Sequence, residues 1–169
     1  MHACMRFLTP FLFPFSIIFD AVTSVRNHLY NSGVKPVARF EIPVIGVGNL
    51  SVGGTGKTPM IEYLIRLLSP ELKVATLSRG YGRRTKGIRI AGGNDNAFTI
   101  GDEPFQFYQK FGDRIVVGVG EERVLAIPYI LDEHPETGVI LLDDAFQHRR
   151  VGPAFQILLT DYNNPFTRD

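Results

Sequence analysis

Ser51-Val52-Gly53-Gly54-Thr55-Gly56-Lys57-Thr58 concentrates more chemistry than any other stretch of the chain. Glycines at 53, 54 and 56 let the backbone curl until successive N–H groups converge on phosphate oxygens, and a helix opening behind them adds its positive end. In such a cradle Lys57 reaches the β- and γ-phosphates and the Thr58 hydroxyl holds Mg²⁺. The spacing is that of a Walker A loop, with Ser51 where the first glycine usually stands. Some ninety residues later the apolar run Gly138–Leu142 ends in Asp143-Asp144. An acid at the tip of an apolar strand is a Walker B pattern, whose carboxylate binds Mg²⁺ directly or through water beside Thr58. Together the two motifs predict a site for a nucleoside triphosphate and its metal.

Three further stretches carry polar groups at loop positions. Ser78-Arg79-Gly80-Tyr81-Gly82-Arg83-Arg84 reads either as a solvated basic loop or as a set of arginines meeting phosphate. Gly101-Asp102-Glu103-Pro104 opens a helix through about Lys110. Asp102 there is either an N-cap or a carboxylate aimed at a substrate hydroxyl as general base. Ala145-Phe146-Gln147-His148-Arg149-Arg150 places polar groups just past the acidic strand tip.

The elements that must position these groups follow from periodicity. Ile42–Val47 is an apolar strand leading into the glycine-rich turn. Ile61, Leu64, Ile65 and Leu68 then recur at helical spacing, with Pro59 tolerated in the first turn. Leu72–Leu77 is a second strand, so strand, helix and strand form a βαβ unit with a right-handed crossover and a parallel sheet. Ile88–Ile90 and Phe98–Ile100 flank Gly92-Gly93-Asn94-Asp95-Asn96 and suggest a hairpin. Arg114–Val117, a crossover helix over Glu121–Glu133, Gly138–Leu142 and Phe155–Leu159 complete the sheet. Ligands in such sheets bind at the carboxyl ends of the strands, where all the motifs fall. The expected fold class is α/β, a P-loop NTPase-type three-layer domain with a mostly parallel sheet, preceded by an apolar N-terminal helix.

The 169 residues suffice for one domain or part of a larger one. A net charge of +1 argues against a nucleic-acid partner, since no basic stripe is present. The single cysteine, Cys4, excludes an intrachain disulfide.

The N-terminal run Phe7–Phe19 is interrupted by Pro10 and Pro14 and is shorter than the roughly 20 apolar residues of a spanning helix. Two readings stand: a helix docked on the domain's own core, or one lying in the membrane interface with phenylalanines toward the acyl chains and Arg6, Arg26, Lys35 and Arg39 near lipid phosphates. The domain division is a membrane-interface segment over 1–35 and a P-loop kinase domain over 36–169.

Val47–Pro59, Leu77–Arg83, Gly101–Pro104 and Leu142–Arg149, in that order, resemble the tetraacyldisaccharide 4'-kinase family, the lipid A 4'-kinases. The resemblance runs from about residue 5 to the end and includes Leu29-Tyr30-Asn31-Ser32-Gly33. It implies transfer of the ATP γ-phosphate, with Mg²⁺, to the 4'-hydroxyl of a lipid A disaccharide 1-phosphate precursor at the cytoplasmic face of the bacterial inner membrane; no obligate protein partner is readable in the sequence. It also implies Asp102 as general base, Lys57 on the phosphates, and Asp143 and Asp144 on Mg²⁺. Arg79, Arg83, Glu103, Arg123, Gln147, His148 and Arg149 become candidates for the lipid or phosphate side. Members of that family continue beyond the length of this chain. Their second half supplies further strands, a closing subdomain and a histidine partner for the base, so the chain reads as an N-terminal portion whose activity alone is weak or absent. Outside this family, the P-loop fits an ATPase switch or a membrane-peripheral nucleotide-binding module. Val52 stands where the dimerising ATPases of that kind usually carry a second lysine.

Overall fold

The computed structural model describes residues 17, 21–30, 32–49, 56–144 and 149–160. Residues 51–55 of the phosphate cradle, together with Gln147 and His148, lie outside the described residues, as does most of the apolar N-terminal run. The chain divides into two compact units, residues 1–37 and 38–169.

In the first unit residues 21–30 form helix α1. It ends at a turn in which the Ser32 and Lys35 amides donate to the His28 and Leu29 carbonyls, while Gly33 adopts φ +74°. Val22 and Val25 are exposed, and the Lys35 ammonium sits 5.5 Å from the centre of the Tyr30 ring. Among the described residues no helix is long and apolar enough to cross a membrane.

The second unit is a six-stranded sheet in the order β3-β4-β2-β5-β1-β6. Its strands are β1 (Val44–Asn49), β2 (Lys73–Ser78), β3 (Arg89–Ile90), β4 (Ile115–Val119), β5 (Thr137–Asp143) and β6 (Phe155–Leu159). All neighbours pair in parallel except β3, which runs antiparallel along β4 at the edge. The helices are α2 (Lys57–Leu68), α3 (Ala97–Ile100), α4 (Asp102–Phe111) and α5 (Arg123–Glu133). Strand β5 lies between β1 and β2, so the acidic tip is carried directly alongside the strand that feeds the phosphate cradle. Their register pairs Val47 with Asp143.

Alternation along each strand divides the core into two layers. Ile140 and Leu142 of β5 pack with Ala75, Leu77, Ala126, Ile127 and Ile130 beneath α5. Val139 and Leu141 pack with Ile61, Leu64, Ile65, Phe107 and Phe111 beneath α2 and α4. The sheet is therefore the middle of three layers. By the same alternation, Asp143 falls on the face of Val139 and Leu141, beside α2 and α4.

One polar cluster joins those two helices. Glu62 of α2, nearly buried, accepts from Gln106 of α4 at 2.9 Å and from Arg66 at 3.4 Å, and forms an ion pair with Lys110 of α4. Burial works to raise the pKa of Glu62, but the bonds from Lys110 and Gln106 outweigh it and hold the carboxyl below its usual range. Glu62→Ala removes the acceptor shared by Gln106, Arg66 and Lys110. The expected cost is about 1–3 kcal/mol in urea unfolding, and loss of the Glu62 acceptor should loosen α4 against α2.

The structure corrects the hairpin expected between 87 and 100. Arg89–Ile90 supplies a strand, but Phe98–Ile100 is helical, because Asn96 caps it. The Asn96 side chain accepts from the Phe98 amide, and Thr99 accepts from the Asn96 amide. Local capping in this segment outweighs the β-propensity of Phe, Thr and Ile. The crossover helix also begins at Arg123 rather than Glu121, with Glu122 as N-cap.

Candidate phosphoryl-transfer site

Four chain segments converge at the carboxyl ends of β1, β2 and β5. Gly56, at φ +84°, is the N-cap of α2, a left-handed conformation that glycine adopts without a Cβ penalty. The helix behind it delivers Lys57 and Thr58. Lys57 Nζ donates to Asn49 Oδ1 at 2.9 Å and lies 3.6 Å from Asp144 Oδ1. Asn49, nearly buried at the last position of β1, thus fixes the ammonium from below.

The second convergence is made by glycines. Gly80 (φ +72°) and Gly101 (φ +96°, ψ 159°) press together so closely that a Cβ on Gly101 would meet the Tyr81 carbonyl oxygen at 3.0 Å. One on Gly80 would meet the Ile100 carbonyl oxygen at 2.8 Å. This contact clamps the loop after β2 against the start of α4 and brings Arg79 and Tyr81 to Asp102 and Glu103. The backbone of Gly101 occupies a region open essentially to glycine alone. Gly101→Ala should cost on the order of 1–3 kcal/mol or more in denaturant unfolding and displace Asp102. A variant as stable as the parent would show that the clamp is dispensable.

Capping does not explain Asp102. Gly101 holds the N-cap position, and no side chain caps α4. Asp102 is exposed and faces a cavity of about 370 Å³ that it shares with Lys57, Arg79, Tyr81, Glu103, Asp143 and Asp144. Glu103 Oε1 accepts from the Thr58 hydroxyl at 2.7 Å. A threonine hydroxyl that donates its one hydrogen keeps two lone pairs for a metal.

Asp143 is 4 % exposed, and its Oδ1 has no hydrogen-bond partner among the described residues. Burial pushes its carboxyl up to about 6; the Glu103 and Asp144 carboxylates push in the same direction and Lys57 opposes them. Asp144 follows at φ +51°, strained for a residue with a Cβ. An orphaned buried carboxylate oxygen with a second, exposed carboxylate on the next residue suits Mg²⁺, and the Thr58 hydroxyl at the start of α2 keeps lone pairs for the same ion. Among the described residues no three His, Cys, Asp or Glu side chains are grouped to cage an ion.

The arginines divide. Arg79 lines the cavity. Arg83 does not: its side chain is 3 % exposed and donates to Glu121 Oε1 and to the Gly87 carbonyl, both at 2.6 Å, so the expectation of a ligand contact gives way to a loop-bracing role. Arg123 is buried and donates to the Asp143 carbonyl at 2.7 Å and the Asp144 carbonyl at 3.4 Å, holding the strained acidic tip through its backbone. Arg149 is half-buried and does not line the cavity. Asn49 and Tyr81 were not legible as site residues. The signal available was a lone amide ending an apolar strand and an aromatic between two turn glycines. Tyr81 is 92 % exposed at the rim.

Comparison with known proteins identifies the family. A family model described as LpxK, tetraacyldisaccharide-1-P 4'-kinase, matches residues 8–169. The tetraacyldisaccharide 4'-kinase of Flavobacterium johnsoniae is 53% identical over 165 residues, which is 98% of this chain and 48% of that protein. That of Phocaeicola vulgatus is 48% identical over 164 residues, or 96% of this chain and 44% of its own length. The crystal structure of LpxK from Aquifex aeolicus in complex with ATP superimposes with a TM-score of 0.82 at 36% identity, covering 92% of this chain and 50% of that one. The chain thus spans about half the length of the curated relatives it matches. On the family match and these identities, it belongs to the tetraacyldisaccharide-1-P 4'-kinase family.

Proposed function

We propose that this chain is the nucleotide-binding and base-bearing part of a kinase that moves the ATP γ-phosphate to the 4'-hydroxyl of a tetraacyldisaccharide 1-phosphate. The observation that carries this reading is the convergence of Lys57, Asp102, Glu103 and Asp143 on one cavity at the sheet's carboxyl edge. Lys57, anchored by Asn49, meets the β- and γ-phosphates, and the positive end of α2 adds to their stabilisation. Asp143, Asp144 and Thr58 hold Mg²⁺, which when bound neutralises charge on the phosphate oxygens. Asp102, solvent-facing and free of any ion pair among the described residues, orients the acceptor hydroxyl and takes its proton as the oxygen attacks phosphorus in line.

The test is transfer of γ-labelled phosphate from Mg·ATP to detergent-dispersed disaccharide 1-phosphate, by this chain and by Lys57→Ala. Labelled lipid lost in the variant supports the reading. Lipid labelling that survives in Lys57→Ala refutes the role of the cradle, and ATP bound with no transfer assigns the chain a nucleotide-binding function only.

The acceptor's acyl chains place the reaction at a membrane, and the N-terminal unit is the part suited to hold it there. Residues 1–35 lie in the interface at the cytoplasmic face of the inner membrane. A chain lacking residues 1–30 should therefore lose co-sedimentation with anionic vesicles; undiminished co-sedimentation contradicts this assignment.

A further inference from the structure

The loop after β2, whose Gly80 and Tyr81 line the cavity, is laced to the short helix α3. The Arg84 amide donates to the Phe98 carbonyl at 2.7 Å, the Thr85 hydroxyl donates to the Thr99 carbonyl, and the Gly80–Gly101 contact closes the same seam at its cavity end. These bonds decide which side chains are left outside. Ile100 is the buried residue of α3, whereas Phe98 is 62 % exposed and gives nothing to the core. The Arg84 guanidinium lies 4.7 Å from the centre of the Phe98 ring, and Lys86, also exposed, follows on the same loop.

The acids of the neighbouring segments are engaged elsewhere. Asp95 has a side chain 4 % exposed and pairs with Arg89 at 2.6 Å, while Glu121 pairs with Arg83. Arg84 and Lys86 make no ion pair among the described residues. The outer surface is thus a large aromatic ring beside two cations. Its complement is negative at the face and apolar just beneath, which is the order of layers in a bilayer that carries anionic lipids. A soluble polyanion would satisfy the cations and leave the ring in water.

We propose that Phe98, Arg84 and Lys86 form an interfacial contact with an anionic lipid bilayer, the ring entering the headgroup region and the two cations meeting lipid phosphates. This contact belongs to the sheet domain and is separate from the N-terminal unit. Two charges and one ring are a small anchor, so their role is orientation: fixed to the loop that lines the Asp102 cavity, they turn its mouth toward the bilayer. That role rests on the reading of the acceptor as a membrane lipid, whereas the contact itself rests on the surface chemistry.

The chain contains no tryptophan, so Phe98→Trp places a lone fluorescent reporter at the contact, and the exposure of Phe98 leaves the core undisturbed. The full chain is mixed with vesicles of phosphatidylglycerol and phosphatidylethanolamine in equal parts, or of phosphatidylcholine alone, and co-sedimentation is measured on the same samples. Indole emission should shift to the blue on the anionic vesicles and stay unshifted on phosphatidylcholine. Arg84→Gln and Lys86→Gln, both at exposed positions, should each weaken binding to the anionic vesicles about fivefold. Unshifted emission from a chain that co-sediments would overturn the contact and leave the N-terminal assignment standing. An equal shift on phosphatidylcholine would overturn the part given to the two cations, and a shift that grows with protein concentration in the absence of vesicles would assign the face to a second copy of the chain. Absence of all co-sedimentation would overturn both membrane assignments. A blue shift on anionic vesicles from a chain that labels no lipid would support the contact and count against the kinase reading alone.

Discussion

Replacing Asp143 by Asn should stabilise the ligand-free chain at neutral pH while abolishing the Mg²⁺ dependence of its nucleotide binding. The two effects have one cause. Burial and the Glu103 and Asp144 carboxylates raise the folded carboxyl of Asp143 from 3.8 to about 6, so the folded state binds its proton more tightly than the unfolded state does. Stability from this group is therefore fully present below pH 3.8 and is lost as pH rises through about 6. Ionised Asp143 then costs on the order of 3 kcal/mol at pH 7, since each tenfold change in proton affinity is worth about 1.4 kcal/mol. Asn removes that cost, so the fall in urea-unfolding stability that this carboxyl causes between about pH 3.8 and 6 in the parent should be missing from the variant. Mg²⁺ opposes the same penalty in the parent, and its affinity should fall roughly tenfold per pH unit below pH 6 as it competes with the proton. A parent whose stability does not decline across that range would contradict the buried, metal-free carboxylate.

Asp102→Asn should cut phosphoryl transfer about 10²–10⁴-fold with nucleotide affinity unchanged. Asn is isosteric and leaves the start of α4 intact, since Asp102 does not cap it. The side chain also takes no part in the Lys57, Asn49 and Asp144 contacts that receive the nucleotide. Single-turnover transfer measured beside ATP binding separates these effects. An unchanged turnover rate would remove Asp102 as the base, and weakened ATP binding would reassign it to the nucleotide.

The parts of this molecule legible in sequence are those where chemistry and periodicity coincide. Lys57-Thr58 at the start of an amphipathic helix and Asp143 at the tip of an apolar strand can be placed because a buried parallel strand reads as one apolar run and stops at its first acid. The sheet order is less legible. That β5 runs between β1 and β2 follows from packing of α2 and α5 on opposite faces, which no local pattern encodes. Local capping overrides propensity at Asn96, where a short polar side chain decides a turn that β-propensity assigns to a strand.

The arginines show the limit most clearly. Arg79, Arg83, Arg123 and Arg149 are the same residue type near one edge of a sheet, and sequence alone does not separate them. Burial separates them: Arg83 is buried against Glu121, Arg123 is buried and holds the carbonyls of Asp143 and Asp144, and Arg79 is left lining the cavity. Asn49 is hidden for a related reason, because its importance comes from a contact to Lys57 across a loop. Glu62, likewise, reads as an ordinary polar position on a helix until α4 packs against it.

The most direct measurement is a crystal structure of the chain with Mg²⁺ and a non-hydrolysable ATP analogue. The γ-phosphate should lie within hydrogen-bond reach of Lys57 Nζ, with Mg²⁺ bound to Thr58 Oγ1, Asp143 or its water on the same ion, and Asp102 facing the open side of the γ-phosphate. A nucleotide whose phosphates lie away from Lys57, or a metal held without Thr58 and Asp143, would contradict the assigned site.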